Sequence, residues 1–443
     1  MGMLKFHLIT YGCQMNVHDS EGLAGVLLNE GWLPANDEDS ADMVVINTCA
    51  VRSRPERKAL AKLGALSRRK RDGSLRVLGI SGCMAQEHGA ELLERYPELD
   101  FVLGTGSLTS AARLVSEALA GERSCELSQE GDAGKPVPRS HSSRHRAYVD
   151  AIYGCTNFCS YCIVPYVRGP ERSRPLEEIV AEVADLASRG WVEVTLLGQN
   201  VNAYGKDLGP GGPTFADLLR QVDVVDGIRR VRFTTSHPKD CGDDLLHAVA
   251  ELPGVCEHLH LPAQAGDDRI LAAMNRGYTR EDYVGLVRRA RDLIPGVSIT
   301  TDLIVGFPDE GPAEFRRTLD LLEEVRFDQA FTFVFTPRPG TAAAGLADAV
   351  PRAEKVEWLQ ALAARQKELA REINERLVGQ PLEVLVDGPS LEDRANLAGR
   401  TRTNKLVLFP ARPGVEEGQF VEVVAAEAKL WGFEGKLRHQ GEQ

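Results

Sequence analysis

Three cysteines stand close together in Gly154-Cys155-Thr156-Asn157-Phe158-Cys159-Ser160-Tyr161-Cys162, a C-x-x-x-C-x-x-C run. Three thiolates on one short loop can ligate three irons of a [4Fe–4S] cube, leaving the fourth iron open to a small molecule. Structural zinc wants four ligands and usually takes them from two C-x-x-C pairs; catalytic zinc uses three, and stays as the alternative. The position of the loop favours the cluster, because it follows a strand in a run of βα units, where barrel enzymes gather their active sites.

A second set is dispersed. Cys13, Cys49 and Cys83 stand in Tyr11-Gly12-Cys13-Gln14, Asn47-Thr48-Cys49 and Ser81-Gly82-Cys83-Met84, each at or just past the end of a strand-like run. In a parallel sheet the carboxyl ends of the strands share one edge, so one cysteine per βα unit converges there and implies a common ligand. Three separate buried thiols are the alternative, since cysteine is among the most buried residue types. Cys125, Cys241 and Cys256 show no partner pattern and read as ordinary thiols.

The elements that must position these residues divide the 443-residue chain, which is longer than one core usually serves. Residues 1–121 alternate strand-like runs (4–10, 42–47, 76–81) with helical stretches, an α/β layout with a parallel sheet. Residues 122–146, rich in Ser, Gly, Pro and charge, read as a linker. In 147–373, six strand-like runs (148–153, 192–197, 231–235, 258–261, 297–305, 329–335) with helices between them predict a partial (β/α)6 barrel. A long amphipathic helix follows, carrying Val356, Leu359, Leu362, Ala363, Leu369 and Ile373. Residues 374–443 change to short strands (382–386, 405–409, 420–424) separated by turn residues, a small all-β appendage.

Met1 to Thr10 has no apolar signal core, and Phe6 stands where a myristoylation signal needs Ser or Thr. No apolar run approaches the roughly 20 residues that span a bilayer. A cytoplasmic protein with no membrane role is expected, and in that reducing compartment the nine cysteines are not a disulfide framework. The net charge of −12 argues against a nucleic-acid partner, but it is a whole-chain sum. Locally it reverses: Arg52, Arg54, Arg57, Lys58, Lys62, Arg68, Arg69, Lys70, Arg71 and Arg76 form one basic run, Lys135, Arg139, Arg144 and Arg146 a second, and Arg394, Arg400, Arg402, Lys405 and Arg412 a third. A solvated face is the ordinary reading of any one such run.

The chain resembles the radical S-adenosylmethionine (SAM) methylthiotransferases, and within them the branch that acts on transfer RNA. The resemblance runs in order through Gly12-Cys13-Gln14-Met15-Asn16, Asn47-Thr48-Cys49, the cysteine triplet with Val164-Pro165-Tyr166 and Arg168-Gly169, Ser173-Arg174-Pro175, Leu197-Gly198-Gln199-Asn200-Val201, Thr234-Thr235-Ser236-His237-Pro238, Asp302 to Pro308 and Gly399-Arg400-Thr401. It implies that Cys155, Cys159 and Cys162 hold a [4Fe–4S] cluster whose open iron chelates SAM. Reductive cleavage of SAM would yield a 5′-deoxyadenosyl radical, which abstracts hydrogen from carbon 2 of an isopentenyl-modified adenosine beside the anticodon; no acid/base dyad is needed. Cys13, Cys49 and Cys83 would hold an auxiliary [4Fe–4S] cluster carrying the sulfur, with two SAM consumed per turnover. The resemblance further implies an RNA-binding TRAM domain at the carboxyl end, an electron donor such as flavodoxin or ferredoxin, and a monomer.

Gln199, Asn200, Gln264 and Asp302, polar residues at strand ends, are the candidates for lining the SAM pocket; capping helices is their alternative role. The chain departs from the family at Ala263 and Ala265, where Val and Ser are expected, and at Pro55, which interrupts an expected helix. Related enzymes modify an aspartate of a ribosomal protein or threonylcarbamoyl-adenosine in transfer RNA; Gln14-Met15-Asn16 in place of Pro-Lys favours the isopentenyladenosine type. A non-catalytic iron–sulfur RNA-binding sensor is the reading from another class, and it has no use for an open iron site.

Overall fold

The computed structural model describes residues 3–51, 53–128 and 137–438. Strands β1 (Lys5–Tyr11), β2 (Leu33–Pro34), β3 (Met43–Thr48), β4 (Val77–Gly82), β5 (Phe101–Leu103) and β6 (Ser124–Glu126) form one parallel sheet, in the order β2-β1-β3-β4-β5-β6. Helices α1 (Gln14–Asn29), α2 (Ser53–Arg71), α3 (Cys83–Arg95) and α4 (Ala111–Leu119) cover it. Every residue of β3 and β4 is buried. Met43 and Val45 face one core cluster and Val44 and Ile46 the other, as expected of a strand covered on both faces. β2, β5 and β6 escape the sequence pattern because two or three residues cannot display an alternation. β6 starts within the stretch read as linker; residues 129–136 of that stretch, including Lys135, lie outside the described residues, as does Arg52 of the first basic run.

The central unit comprises β7 (Arg146–Asp150), β8 (Ile152–Tyr153), β9 (Arg172–Ser173), β10 (Glu193–Leu197), β11 (Arg230–Thr234), β12 (His258–His260), β13 (Ser298–Val305) and β14 (Gln329–Val334). Between them lie α5 (Val164–Arg168), α6 (Leu176–Ser188), α7 (Phe215–Asp223), α8 (Asp243–Glu251), α9 (Asp268–Ala273), α10 (Arg280–Leu293) and α11 (Pro312–Val325). Two parallel sheets, β11-β10-β7 and β12-β13-β14, are linked by a bridge between Val231 and Val255, giving a six-stranded partial barrel. The run expected as one strand from 148 to 153 breaks at Ala151. β7 stays in the barrel, whereas Ile152 and Tyr153 turn away to pair antiparallel with Ser173 and Arg172.

Helix α12 (Arg352–Glu375) packs on the outside of the barrel through Trp358, Leu362 and Leu369, with Trp358 stacked on Phe315 at a ring-centroid distance of 5.0 Å. Lys355, Gln366 and Asn374 are buried on the same helix, and each is paired: Lys355 with Asp348, Gln366 with the Phe327 carbonyl, Asn374 with the Lys429 carbonyl. The carboxyl-terminal strands β15 (Pro381–Pro389), β16 (Asn396–Thr401), β17 (Leu406–Pro410), β18 (Phe420–Lys429) and β19 (Gly432–Leu437) close into a barrel in the order β15-β16-β17-β19-β18. Gly432 is needed there: a Cβ on it would lie 1.7 Å from the Leu406 carbonyl oxygen of the neighbouring strand.

Arginines from β11 lock the small barrel to the large one. Arg230, fully buried, donates to the Arg400 carbonyl at 2.8 Å and to Glu383 Oε1 at 2.8 Å, beneath the Phe420 ring at 4.9 Å. Arg232 donates to the Thr401 and Arg402 carbonyls, and Glu193 holds its Nε at 2.9 Å. Arg402 and Lys405 return the contact through Glu257 and Asp328, each at 2.6 Å. Those two members of the third basic run therefore serve docking, and Arg394 and Arg412 are its exposed members. Arg230→Ala should cost about 1–3 kcal/mol, because it leaves the Arg400 and Glu383 carbonyls without their buried donor. Limited proteolysis should then release a carboxyl-terminal fragment that the unmodified chain retains.

Candidate functional site

The cysteine loop is fastened at its base. β8 and β9 pair across it, Cys155 N–H donates to the Gly169 carbonyl at 3.0 Å, and Gly154 has a φ of 82°. A Cβ on Gly154 would stand 2.0 Å from the Pro170 carbonyl oxygen, so only glycine lets the two ends of the loop meet. The tip is held from the opposite half of the barrel. Ser160 N–H donates to the Met274 carbonyl at 3.0 Å, and Asn275 Nδ2 donates to the carbonyls of Asn157 and Phe158.

Cys13, Cys49 and Cys83 follow β1, β3 and β4, three neighbouring strands whose last paired residues, Tyr11, Thr48 and Gly82, lie side by side. A Cβ on Gly12 would come within 3.0 Å of Cys49 Cβ, which shows how closely the first two turns approach. Two buried asparagines set these turns. Asn16 Oδ1 accepts from Cys13 N–H at 3.2 Å, and its Nδ2 donates to Asn47 Oδ1 at 3.2 Å. Asn47 Nδ2 donates in turn to the Asn16 carbonyl and to Ser20 Oγ, both at 2.9 Å.

The two cysteine sets meet across the seam between the units. Ile163, next to Cys162, packs with Val167, Ala50 and Cys83; Tyr153, two residues before Cys155, packs with Met15 and Cys13. Buried polar contacts fix the seam: His18 Nε2 to Asp150 Oδ1 at 2.8 Å, Arg168 Nη2 to Asp19 Oδ2 at 2.5 Å, and Ser142 Oγ to Glu21 Oε1 at 2.6 Å. Burial would raise the Asp150 carboxyl, but His18, Arg139 and Arg174 outweigh it and hold the group well below the usual carboxylate range.

Burial pushes the Cys155 thiol up to about 11 and Cys162 to about 12, and it raises Cys83 as well, so without a metal these groups stay neutral. A bound iron inverts that balance, because a coordinating thiol is deprotonated outright. Each set also has one buried guanidinium in contact: Arg276 Nη1 lies 3.3 Å from Cys159 Sγ and Arg168 Nε lies 3.4 Å from Cys83 Sγ. A cation there suits a negative thiolate-bound group. Among the described residues no three Cys, His, Asp or Glu side chains close on a single metal ion.

The four candidates for SAM contacts divide. Gln199 reaches the cysteine loop, its Oε1 accepting from Gly154 N–H, while its buried Nε2 has no partner among the described residues. Gln264 adopts a φ of 71°, with its backbone paired to Asp302 and Ile304 and its buried Oε1 without a partner. Asp302, half-buried, lies 3.7 Å from His260 Nε2. Asn200 is occupied: its Nδ2 donates to Asp240 at 2.7 Å and its Oδ1 accepts from His237 N–H at 3.2 Å. Ala263 and Ala265 are both buried; Ala263 N–H donates to Thr301 Oγ1 at 2.9 Å.

Three further side chains at the site, Arg168, Arg276 and His237, are not marked out by any spacing in the sequence. Burial, reinforced by Arg276, holds the His237 ring neutral, down at about 2. Its Nδ1 accepts from Lys239 N–H, so Nε2 carries the proton and is a buried donor without a partner among the described residues. Tertiary packing between residues far apart in the chain brings Arg168 to Cys83 and Arg276 to Cys159, and sets His237 against the Tyr278 ring beside Arg276.

Glu310 buttresses the turn after β13. It is fully buried, accepts at Oε2 from Gly306 N–H and from Phe307 N–H at 3.1 Å, and leaves Oε1 unpaired. Burial, with Glu314 nearby, pushes its carboxyl up to about 7 against the pull of the two N–H donors and Lys355. A raised acid favours folding below the unfolded value near 4.5, and that contribution is lost as pH climbs to about 7, a change of about 3 kcal/mol. Glu310→Gln should therefore flatten the fall in thermal stability between pH 4.5 and 7.5; calorimetry of both forms checks it.

This arrangement defines the class: a radical SAM enzyme with a second cysteine set at its mouth. A Radical SAM superfamily model matches residues 150–322, an uncharacterised protein family model, UPF0004, residues 5–104, and a TRAM domain model residues 375–437. The tRNA-2-methylthio-N(6)-dimethylallyladenosine synthase of Carboxydothermus hydrogenoformans is 48% identical over 441 residues, 99% of this chain and 100% of that one. The protein of the same name from Moorella thermoacetica is 47% identical, over 98% of each chain. The chain belongs to the radical SAM methylthiotransferase family, in its MiaB-type branch. Among solved structures, the radical SAM methyltransferase TsrM from Kitasatospora setae superposes with a TM-score of 0.55 at 14% identity, over 77% of this chain and 74% of that one, a likeness of fold alone.

Proposed function

We propose that this chain is a transfer-RNA methylthiotransferase that modifies carbon 2 of N(6)-dimethylallyladenosine beside the anticodon. It uses one [4Fe–4S] cluster on Cys155, Cys159 and Cys162, another on Cys13, Cys49 and Cys83, and two SAM per turnover. The observation that supports this reading is the packing of Ile163 against Cys83 and of Tyr153 against Cys13, so that clusters held by the two cysteine sets would share one site. When bound, the clusters and SAM supply the radical and the sulfur that an unactivated C–H bond requires.

The protein's own residues bind and orient. Cys155, Cys159 and Cys162 would hold the cluster from a loop pinned at its base and its tip. Gln199 Nε2, Gln264 Oε1 and His237 Nε2 are buried polar atoms awaiting partners, and a zwitterionic ligand satisfies donors and acceptors together. Asp302, beside His260, is the acidic candidate for the same ligand. Asn200 supports the turn, its amide paired with Asp240 and with His237 N–H. The apolar packing of Ile163, Val167 and Ala50 excludes water from the seam.

For transfer RNA, α2 offers exposed Arg54, Arg57, Lys58 and Arg68, whereas Lys62, Lys70 and Arg71 are neutralised by Glu38, Asp100 and Glu98. Changing Arg54, Arg57 and Lys58 together to glutamate should weaken transfer-RNA binding. It should also flatten the salt dependence by about 0.7–0.9 in log–log slope for each phosphate no longer neutralised, as read by titration at several salt concentrations. The reading further includes a flavodoxin- or ferredoxin-like electron donor, a cytoplasmic location and a monomeric state. The test of function is mass spectrometry of transfer-RNA nucleosides from cells lacking the gene. Loss of the 2-methylthio derivative with accumulation of its unthiolated precursor supports the proposal; an unchanged profile refutes it and turns attention to a protein substrate.

A further inference from the structure

Arg168 is 2% exposed, at the end of the short helix α5 that follows the cysteine loop, yet its charge is delivered into the neighbouring unit. Its Nη2 meets Asp19 of α1 at 2.5 Å, its Nε meets Cys83 Sγ at 3.4 Å, and its guanidinium lies 5.3 Å from the centre of the Tyr153 ring. The Asp19 carboxylate answers this buried cation. Its Nη1 is buried and has no partner among the described residues. Removing a guanidinium from water costs several kcal/mol unless every N–H is answered. One carboxylate and a neutral thiol leave this one under-answered, and a thiolate–sulfide cluster on Cys83 supplies the missing acceptor and the missing negative charge.

Arg276 offers an internal comparison. It stands 3.3 Å from Cys159 Sγ, but its remaining contacts are the Pro262 carbonyl at 2.8 Å and the hydroxyls of Tyr278 and Tyr161, all neutral. Arg168 is the one that comes with its own carboxylate. The local field at Cys83 is thus set by a pair, Arg168 raising the potential and Asp19 lowering it, one member from each side of the seam.

We infer that Arg168 is a positioning residue for the dispersed cysteine set: reaching across from the barrel, it holds Cys83 in place and raises the reduction potential of the cluster bound there, with Asp19 opposing it. This rests on the proposal that Cys13, Cys49 and Cys83 hold a cluster. Hydrogen bonds and charges beside the sulfurs are what tune such potentials.

The experiment uses the full chain with Cys155, Cys159 and Cys162 changed to alanine, reconstituted without oxygen, so that only the dispersed set can bind iron. Redox titration followed by electron paramagnetic resonance then compares Arg168→Gln, Arg168→Lys and Asp19→Asn in that background. Loss of the cation should move the midpoint to more negative values, loss of the carboxylate should move it to more positive values, and lysine should stay near the parent. The opposite signs separate a field effect from a merely structural one, which would shift both variants the same way or neither. Where Arg168→Gln fails to fold, Asp19→Asn and Arg168→Lys decide alone: an Asp19→Asn midpoint at or below the parent's overturns the inference. A parent without its about four irons per chain overturns the underlying cluster assignment instead.

Discussion

With Cys155, Cys159 and Cys162 all replaced by alanine, the anaerobically reconstituted chain should release no 5′-deoxyadenosine from SAM and dithionite. The reason lies in ligand number. A cube held by three protein thiolates keeps one iron for the substrate, and no other cysteine in the barrel can take over: Cys241 and Cys256 are buried away from the loop in the barrel's own packing. The loss should exceed the roughly 10- to 100-fold that follows removal of a ligand's outer partner. Iron should fall by about half, since the second set is carried by a different sheet. The single change Cys159→Ala should behave almost as the triple, because a cube with two protein ligands is not retained. Liquid chromatography of the quenched reaction reads the nucleoside directly. SAM cleavage persisting near the unmodified level would remove this loop from the chemistry.

The complementary change has a different signature. Replacing Cys13, Cys49 and Cys83 should leave 5′-deoxyadenosine production measurable while methylthiolated transfer RNA falls to background, because the radical source survives and the sulfur source does not. Iron again falls by about half. This outcome requires the seam to stay closed, and His18–Asp150, Arg168–Asp19 and Ser142–Glu21 keep it so without help from the cysteines. Equal loss of both products would mean instead that the second set is needed to hold the barrel's own site together.

How far these features are legible in the sequence depends on how local their causes are. The three-unit fold announces itself in the change from helix-and-strand spacing to short strands near Gly379. One cysteine per βα unit, each beside a strand end, is a local pattern too, and the sheet order β1-β3-β4 aligns those ends. By contrast, β16 and β19 hide because Gly399 and Gly432, required for close strand approach, dilute their apolar runs. The break at Ala151 hides because it is made by a partner strand twenty residues on. Arg168 and Arg276 look like ordinary surface arginines until the tertiary structure buries them against Cys83 and Cys159. Basic runs mislead for the same reason: Arg402 and Lys405 resemble a phosphate-binding surface but are consumed by Glu257 and Asp328. Asn200 resembles a ligand contact and is spent on Asp240 and His237.

Two sets of three thiolates, each holding a four-iron cube, are what the proposed chemistry stands on. Iron and acid-labile sulfide per chain, with Mössbauer spectra of the anaerobically reconstituted protein, measure this most directly. About eight irons and eight sulfides, all in four-iron clusters, is the expected result. Zinc in their place, or about four irons that persist unchanged when Cys13, Cys49 and Cys83 are removed, would contradict it.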